Sequence, residues 1–179
     1  MANEVAIFGG GCFWCTEAIF QNLKGVEHVV SGYAGGTLEN PSYWDLHDQE
    51  TGHAEVIKVE FNPDEIAYND LLTVFFASHD PTQVNRQGND VGTEYRSLIL
   101  TTSDKQKAEV ASYIDKLTKE DGLNIATQVE SLIKFFPAEG YHQNYYENNK
   151  SAPYCQIIIE PKLQKLQHKF AALLKTHNK

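Results

Sequence analysis

The sequence of 179 residues has little cysteine, little positive charge and no long apolar run. Its three cysteines are too few, and odd in number, for a secreted disulfide scaffold, which is short and carries a dense, even set. Lysine and arginine together number 15 against 24 acidic residues, and the formal charge of −9 argues against a nucleic-acid-binding face. The longest apolar runs, such as residues 5–8, fall far short of the roughly 20 residues that a membrane span needs. We therefore expect no disulfide framework, no nucleic-acid partner and no membrane insertion.

The residues that are present favour one globular domain over residues 1–179. Apolar residues make up 41% of the chain and aromatic residues 11%, and a chain of this length buries roughly 70% of the surface that its unfolded form exposes. We find no repeat and no low-complexity linker. The first basic residue is Lys24, so the start lacks the positive region typical of a signal peptide. Together with the small number of cysteines, this predicts a cytoplasmic protein.

The order of the predicted elements indicates an α+β protein. Hydrophobic patterning and turn residues predict strand, helix, strand, strand, helix, strand, helix, strand, so that strands are as often adjacent as separated by helices. The predicted strands cover 5–8, 26–33, 56–61, 98–100 and 125–132, and the predicted helices cover 12–23, a segment from 62–64 to about 79–81, and 103–122.

Three further segments carry distinct signals. The stretches 35–52 and 79–97 show no periodicity and are predicted as loops; structureless segments of this length in a compact domain are usually functional or disordered. Ser103 with Gln106 three residues later is typical of a capping box at a helix start. Five apolar residues after Pro161 share one helical face, so we expect the tail to pack against the core; they are Leu163, Leu166, Phe170, Leu173 and Leu174.

Cys12 carries the strongest local signal. It follows Gly9-Gly10-Gly11, where the backbone can turn sharply, and stands at the start of the predicted helix. Amide groups at a helix start favour a thiolate, which predicts a lowered pKa for Cys12 and a nucleophilic sulfur. A buried, inert cysteine after a glycine turn fits the same residues.

Glu55 is the second informative residue. It shares strand parity with Ile57, Val59 and Phe61, so it is predicted to lie on the apolar face of its strand. Burial would favour the neutral carboxylic acid, which could donate a proton near neutral pH. The alternative is a glutamate at the start of the strand that turns to solvent.

Tyr43, Asp90 and Tyr95 lie in the irregular segments, where positioned side chains commonly face ligands. Each is also typical of ordinary packing or of a turn. The seven histidines show no metal-ligand spacing, and we interpret His53, His79 and His142 as structural polar contacts.

Taken together, these segments resemble the peptide methionine sulfoxide reductase A family over roughly residues 5–146. The first matching motifs are Gly11-Cys12-Phe13-Trp14, Gly32-Tyr33-Ala34-Gly35-Gly36, Asn40-Pro41-Ser42-Tyr43 and Gly52-His53-Ala54-Glu55. The later ones are His79-Asp80-Pro81-Thr82, Arg86-Gln87-Gly88-Asn89-Asp90, Gly92-Thr93, Tyr95-Arg96-Ser97 and Tyr141-His142-Gln143.

The resemblance implies a fold and an activity. The fold is a ferredoxin-like α/β sandwich, with a mixed sheet flanked by helices and a C-terminal helix. The activity is reduction of the S-epimer of methionine sulfoxide, free or in peptides, to methionine, which repairs oxidised proteins. The family needs no metal or organic cofactor, thioredoxin is the reductant in most members, and we expect a monomer.

The resemblance also implies roles for individual residues. Cys12 would attack the sulfoxide sulfur and become a sulfenic acid, and Glu55 would protonate the departing oxygen. Tyr43 and Tyr95 would hydrogen-bond that oxygen. Asp90 would help to position the polar part of the site.

The remaining implied roles concern the substrate methyl group and the second thiol. Phe13 and Trp14 would hold the methyl group. Cys155 resembles the C-terminal resolving cysteine of many members and is the favoured first resolver, on a segment that we expect to be flexible. Cys15 departs from the Gly of many relatives and could relay the disulfide, resolve directly or only pack. Glu94 departs from the common Gln.

Two other functions fit parts of the sequence. Cys12 and Cys15 could form the dithiol of a thioredoxin-like disulfide oxidoreductase. Cys12, Cys15 and Cys155 with a histidine could instead bind zinc in a non-enzymatic module, although a second paired motif is absent from the sequence.

Overall fold

The computed structural model describes residues 2–176. The strands are β1 (Glu4–Gly9), β2 (Val26–Ala34), β3 (Ala54–Phe61), β4 (Arg86–Gln87), β5 (Asp90–Val91), β6 (Leu98–Thr101), β7 (Gln128–Ser131) and β8 (Phe135–Pro137). The α-helices are α1 (Phe13–Gln21), α2 (Tyr43–Asp48), α3 (Tyr68–Ser78), α4 (Asp104–Asp121), α5 (Tyr145–Asn148) and α6 (Glu160–Lys169).

The main sheet has the strand order β7-β6-β1-β3-β2-β8. Its four inner strands, β6, β1, β3 and β2, pair antiparallel to one another, and α1 and α3 connect them in the β-α-β-β-α-β arrangement of ferredoxin-like folds. β8 extends the sheet antiparallel to β2, whereas β7 runs parallel to β6, so the sheet is mixed. The predicted α+β class, with helices flanking a mixed sheet and a helix near the C-terminus, is confirmed.

The main core lies between one face of the sheet and the helices. Phe8 of β1 lies at its centre, with ring centroids 5.3 Å from Phe20 of α1 and 5.0 Å from Phe75 of α3. Burial of each such ring contributes about 1.5–3 kcal/mol. A smaller cluster, which includes Val56 and Leu98, covers the opposite face. The alternating residues of β3 are therefore divided between two apolar layers, and its odd-numbered residues face the main core.

The segments predicted as loops contain short regular elements. Ser42 begins α2 with a capping box, because its hydroxyl accepts from the Asp45 amide and the Asp45 carboxylate accepts from the Ser42 amide. In the second segment β4 and β5 form a small hairpin, and residues 93–95 form a 3₁₀ turn. Elements of two to six residues are too short for a hydrophobic period to show.

The predicted capping box of α4 forms only in part. The Ser103 hydroxyl accepts from the Gln106 amide at 3.1 Å as expected, but the Gln106 side chain accepts from Thr102 rather than from Ser103. Gly122 ends the helix in the left-handed conformation with φ of +66°.

The tail packs as predicted, although not as one helix. Leu163 and Leu166 of α6 are buried, and Leu174 forms a β-bridge with Leu23. Phe170 and Leu173 pack against the core beyond the end of α6. None of the helices in residues 2–176 combines the length and apolar character that crossing a membrane demands.

Candidate active site

Cys12 lies at the turn between β1 and α1. It is the N-cap of α1 and is half-buried, so the predicted position at a helix start is confirmed. The preceding Gly11 has φ of +90°, and a Cβ there would lie 2.8 Å from Cγ of Gln87 on β4. Only glycine fits this turn, which places the sulfur of Cys12 beneath the β4–β5 hairpin.

Cys12 and Cys15 share a hydrogen bond between their side chains, and this contact raises the pKa of Cys12 well above its usual value. Burial and the charge of Glu55 raise it further. The same contact lowers the pKa of Cys15 to about 7, aided by the charge of Lys162. The expectation of a lowered Cys12 pKa is therefore wrong for the resting site.

The physical reason is local. Among the described residues, the Cys12 side chain makes no capping hydrogen bond to the amides of α1, so the helix start does little for this sulfur. Cys15 lies in the first turn of the same helix and accepts from Cys12. The pair therefore shares one proton in a way that favours a thiol at Cys12 and a thiolate at Cys15.

Cys155 does not lie on a flexible segment. It begins a π-helical turn, Cys155–Ile159, that leads directly into α6, and it is 0% exposed in the main core. Burial raises its pKa, and the charge of Cys15 adds to this effect. The charge of Cys15 thus affects the pKa of Cys155. The thiol that is hydrogen-bonded to Cys12, however, is Cys15 and not Cys155.

Glu55 lies on β3 opposite Tyr33 of β2 and is only 2% exposed. The predicted parity is confirmed, because Glu55 faces the same side as Ile57 and Val59 of the main core. The Phe13 amide donates to the carboxyl group, but Oε2 is buried and has no hydrogen-bond partner within residues 2–176. The alternative in which this glutamate turns to solvent is wrong.

Burial raises the pKa of Glu55 well above its usual value. The negative charges of Asp90 and Glu94 and the sulfur of Cys15 raise it further. These surroundings favour the neutral carboxylic acid over the carboxylate. Because an unpaired buried oxygen costs free energy, Oε2 is poised for a hydrogen bond with a ligand.

Tyr43 and Tyr95 come from two different segments and lie on either side of His47. Tyr43 begins α2, and Tyr95 ends the 3₁₀ turn. Burial raises the pKa of both phenols, and the charge of Glu55 contributes to each shift. Both hydroxyls are therefore neutral donors, and both lie within electrostatic reach of Glu55.

Asp90 lies on β5, in the hairpin that packs over Gly11. It is half-buried, and burial raises its pKa, an effect partly offset by Lys162. The structure thus gathers the predicted residues Cys12, Glu55 and Asp90 together with the two tyrosines.

Phe13 and Trp14 belong to an aromatic wall. Phe13 is fully buried and packs on His142 with centroids 5.1 Å apart. Trp14 donates from Nε1 to Nδ1 of His142 at 3.0 Å and stacks on Tyr145 with centroids 3.7 Å apart. The edge of Trp14 meets Tyr154, whose hydroxyl lies 3.6 Å from the Cys15 sulfur. This wall can enclose a small apolar group beside the thiols.

The other two interpreted histidines hold loops, as predicted. His53 accepts from the Gly36 amide at 3.0 Å, and its second ring nitrogen lies 2.7 Å from the Leu38 carbonyl. His79 bridges the Phe75 carbonyl and the Ser97 hydroxyl, at 2.7 Å and 2.8 Å.

Sequence reasoning missed two residues that organise the site. Glu139 accepts from the Tyr33 hydroxyl at 3.2 Å, from the Tyr43 amide at 3.3 Å and from the Tyr141 hydroxyl at 3.0 Å. His47 of α2 lies between the two site tyrosines, with its ring centroid 4.1 Å from Tyr43. Neither residue stands out by spacing, because each also has partners far away in the chain: Tyr33 and Tyr43 for Glu139, and Tyr95 for His47.

A metal centre finds no support in the described part of the chain. In residues 2–176 no group of three or more histidine, cysteine, aspartate or glutamate side chains is placed to hold a metal ion. The zinc module considered from the sequence would have required such a group.

A hydrogen-bonded thiol pair, a buried carboxyl group with a raised pKa and two tyrosine hydroxyls meet at one end of the sheet. Such a set of groups on a ferredoxin-like core is typical of an α+β oxidoreductase.

Comparisons with known proteins place the chain within this class. The family model described as "Peptide methionine sulfoxide reductase" matches residues 4–174. The chain is 51% identical over 172 residues to peptide methionine sulfoxide reductase MsrA of Acinetobacter baumannii (strain AYE), which covers 96% of this chain and 99% of that protein. The chain belongs to the peptide methionine sulfoxide reductase family, and its activity is that of a methionine sulfoxide reductase.

Solved structures agree with this assignment. Reduced Mxr1 from Saccharomyces cerevisiae is 33% identical, with a TM-score of 0.79 over 86% of this chain and 90% of that chain. Mxr1 in complex with Trx2 is 26% identical, with a TM-score of 0.56 over 80% of this chain and 85% of that chain.

Proposed function

We propose that this enzyme reduces the S-epimer of methionine sulfoxide, free or in peptides, through a sulfenic acid on Cys12 and an intramolecular disulfide. The observation that carries the proposal is the unpaired, buried Oε2 of Glu55 beside the thiol pair. A sulfoxide oxygen is a strong hydrogen-bond acceptor, and the protonated Glu55 offers it a donor. The preference for the S-epimer rests on the family alone.

In the first step Cys12 must act as the thiolate, although the resting pair favours a thiolate at Cys15. Transfer of the Cys12 proton to Cys15 supplies it. The Cys12 sulfur then attacks the sulfoxide sulfur, and Glu55 protonates the oxygen, with Tyr43 and Tyr95 as hydrogen-bond donors. The hydroxyl group then moves from the substrate sulfur to the Cys12 sulfur. The sulfur–oxygen bond of the substrate and the transient bond between the two sulfurs both break, methionine leaves, and Cys12 becomes a sulfenic acid. Asp90, by analogy with the family, helps to hold this polar side of the site.

The aromatic wall supports a role for Phe13 and Trp14 in holding the substrate methyl group. Phe13 is fixed by its burial, and the indole of Trp14 is fixed by both the His142 hydrogen bond and the Tyr145 stack. A rigid apolar wall beside the reacting sulfur favours the correct approach.

In the second step we propose that Cys15 attacks the sulfenic acid, which forms a Cys12–Cys15 disulfide and releases water. The shared hydrogen bond and the lowered pKa of Cys15, about 7, support this choice over the sequence-based preference for Cys155. Cys155 then exchanges with this disulfide, which its electrostatic link to Cys15 supports. A dithiol reductant, thioredoxin, completes the cycle; the related Mxr1 has been solved in complex with Trx2.

The test compares two epimers and two variants. Reduced enzyme with a dithiol should consume S-methionine sulfoxide and leave the R-epimer unchanged. Cys12→Ser should remove turnover, whereas Glu120→Gln, an exposed change on α4, should leave it unchanged. Equal consumption of both epimers, or turnover without Cys12, would refute the proposal.

Mapping the disulfide after one equivalent of substrate tests the order of the thiols. Trapping at early times should yield Cys12–Cys15 in the wild type, and Cys155→Ser should still release one methionine and form that disulfide. If Cys15→Ser forms Cys12–Cys155 as fast as the wild type forms its first disulfide, Cys15 is not the first resolver.

A thioredoxin-like oxidoreductase using the same two cysteines is the second candidate, and the lowered pKa of Cys15 favours it. It predicts reduction of insulin disulfides that does not depend on Glu55. Two results would exclude this candidate: the wild-type enzyme does not reduce insulin, and Glu55→Gln loses sulfoxide turnover.

A further inference from the structure

Glu94 forms a close contact with His47 at the edge of the site. Its Oε1 lies 3.3 Å from Nδ1 of His47, and the two side chains are only 14% and 19% exposed. The Glu94 carboxylate folds back against Gly92, where φ is +148°, and occupies the space that a side chain at position 92 would take. A larger residue at position 92 would therefore displace the Glu94 carboxylate.

The contact joins the two segments that carry the site tyrosines. His47 lies on α2 one turn after Tyr43, and Glu94 directly precedes Tyr95 in the 3₁₀ turn. The His47 ring centroid lies 4.1 Å from that of Tyr43 and 5.9 Å from that of Tyr95. Nε2 of His47 is buried and unpaired within residues 2–176.

The 3₁₀ turn that carries Glu94 packs against β3, which carries Glu55, and the charge of Glu94 acts on Glu55. Burial is the main cause of the raised pKa of Glu55, and the charges of Asp90 and then Glu94 follow. The other groups that interact with Glu55 come from α1, β2, α2, β5 and the 3₁₀ turn; they are Cys12, Cys15, Tyr33, Tyr43, Asp90 and Tyr95. Cys12, Cys15 and Asp90 are also negatively charged when they ionise. The charge of Glu94 therefore adds to theirs and further disfavours ionisation of Glu55.

We propose that Glu94 is a positioning residue of this site: held by His47, its charge keeps the transferable proton on Glu55. The inference rests on the proposed function, because it assigns Glu94 to the proton delivery described above. The neutral Gln common at this position in the family could keep the contact with His47 but would not supply the charge.

The test separates charge from shape with two variants. Glu94→Gln keeps the length of the side chain and removes the charge, whereas Glu94→Asp keeps the charge and shortens the reach to His47. The protonated carboxyl group of Glu55 gives an infrared carbonyl band, which its loss in Glu55→Gln identifies. We expect this band to disappear at lower pH in Glu94→Gln and near the wild-type pH in Glu94→Asp.

Turnover provides the second measurement. On the alkaline side of the pH profile, kcat/KM for methionine sulfoxide should fall roughly three- to tenfold in Glu94→Gln and change little in Glu94→Asp. The matched control is Glu120→Gln, which removes the same charge from an exposed position on α4 and should move neither measurement.

The inference is overturned if the band of Glu94→Gln disappears at the wild-type pH, or if Glu94→Asp displaces it as far as Glu94→Gln does. The second result would show that shape rather than charge matters. The infrared titration needs no substrate, so it can be carried out in a Cys12→Ser background. Absence of sulfoxide turnover in the wild type would therefore refute the proposed function without deciding the role of Glu94.

Discussion

Two buried glutamates, Glu17 on α1 and Glu55 on β3, differ in their surroundings. Glu17 is 1% exposed and Glu55 is 2% exposed. The carboxylate of Glu17 accepts from the Ser31 hydroxyl at 3.2 Å, from the Tyr145 amide at 3.3 Å and from the Asn144 amide. Glu55 accepts from the Phe13 amide, and its Oε2 is unpaired within residues 2–176. Burial alone therefore does not indicate a functional carboxyl group; the unpaired oxygen does.

The same comparison explains the electrostatics. Burial raises the pKa of both groups, but the three hydrogen bonds to Glu17 favour its ionised form and offset part of that effect. Around Glu55, by contrast, nearby negative charges raise the pKa further, in addition to the effect of burial. Glu17 thus ties α1 to β2 and to the start of α5, where Tyr145 stacks on Trp14. The surroundings of Glu55 instead favour its protonated form.

The largest expected effect is on the chemistry at Glu55. Glu55→Gln keeps the shape of the side chain but removes the acidic proton, so kcat for S-methionine sulfoxide should fall by roughly 10²- to 10⁴-fold. Steady-state kinetics with a dithiol measure this directly. Glu17→Gln is the paired control and should retain most of the activity of the folded enzyme. Comparable losses of kcat in the two variants would remove the distinction between the carboxyl groups.

The second effect is on stability and should appear at Glu17. In Glu17→Gln one carboxylate oxygen is replaced by an amide NH₂ group. The backbone or hydroxyl donor that faces this group then loses its acceptor. We expect the free energy of unfolding to fall by about 1–3 kcal/mol, because each unpaired buried polar group is costly. Urea denaturation followed by circular dichroism measures it, with Glu120→Gln as the exposed control. An unchanged unfolding midpoint would show that this network contributes little.

A third, smaller effect on activity should distinguish the tyrosines near Glu55 from a tyrosine outside the site. Tyr43→Phe and Tyr95→Phe each remove one hydrogen-bond donor to the sulfoxide oxygen, and kcat/KM should fall roughly tenfold for each. Tyr113→Phe removes a hydroxyl that bonds Thr73 at 3.1 Å outside the site. Equal kinetics in all three variants would contradict the roles of Tyr43 and Tyr95.

The smallest effect concerns how stability depends on pH. The folded-state pKa of Glu55 lies above its ordinary value of 4.5, so its contribution to stability is fully present below that value and is lost as pH rises through the folded pKa. Glu55→Gln should therefore gain stability relative to the wild type as pH rises through the folded pKa, and the difference should shrink towards acidic pH. Thermal unfolding across pH measures this, and a difference independent of pH would argue against burial of an ionisable group.

The prediction of the site from the sequence succeeds where a local pattern controls the structure. The glycines before Cys12 define its turn, and the alternation of β3 fixes the face of Glu55. The prediction fails where the cause lies between distant segments. The Cys12 pKa depends on contact with Cys15 and Glu55, and burial of Cys155 depends on helical packing of a segment without a clear period. Glu139 acts only through partners brought to it by the fold.

The contact between Gly11 and Gln87 has a consequence for changes at either position. Because the hairpin over Gly11 also bears Asp90, any larger residue at position 11 would strain the turn of the reactive sulfur and displace an acid nearly eighty residues away. The absence of a side chain at position 11 therefore lets two remote parts of the sequence pack together, and a larger residue there would require Gln87 to move.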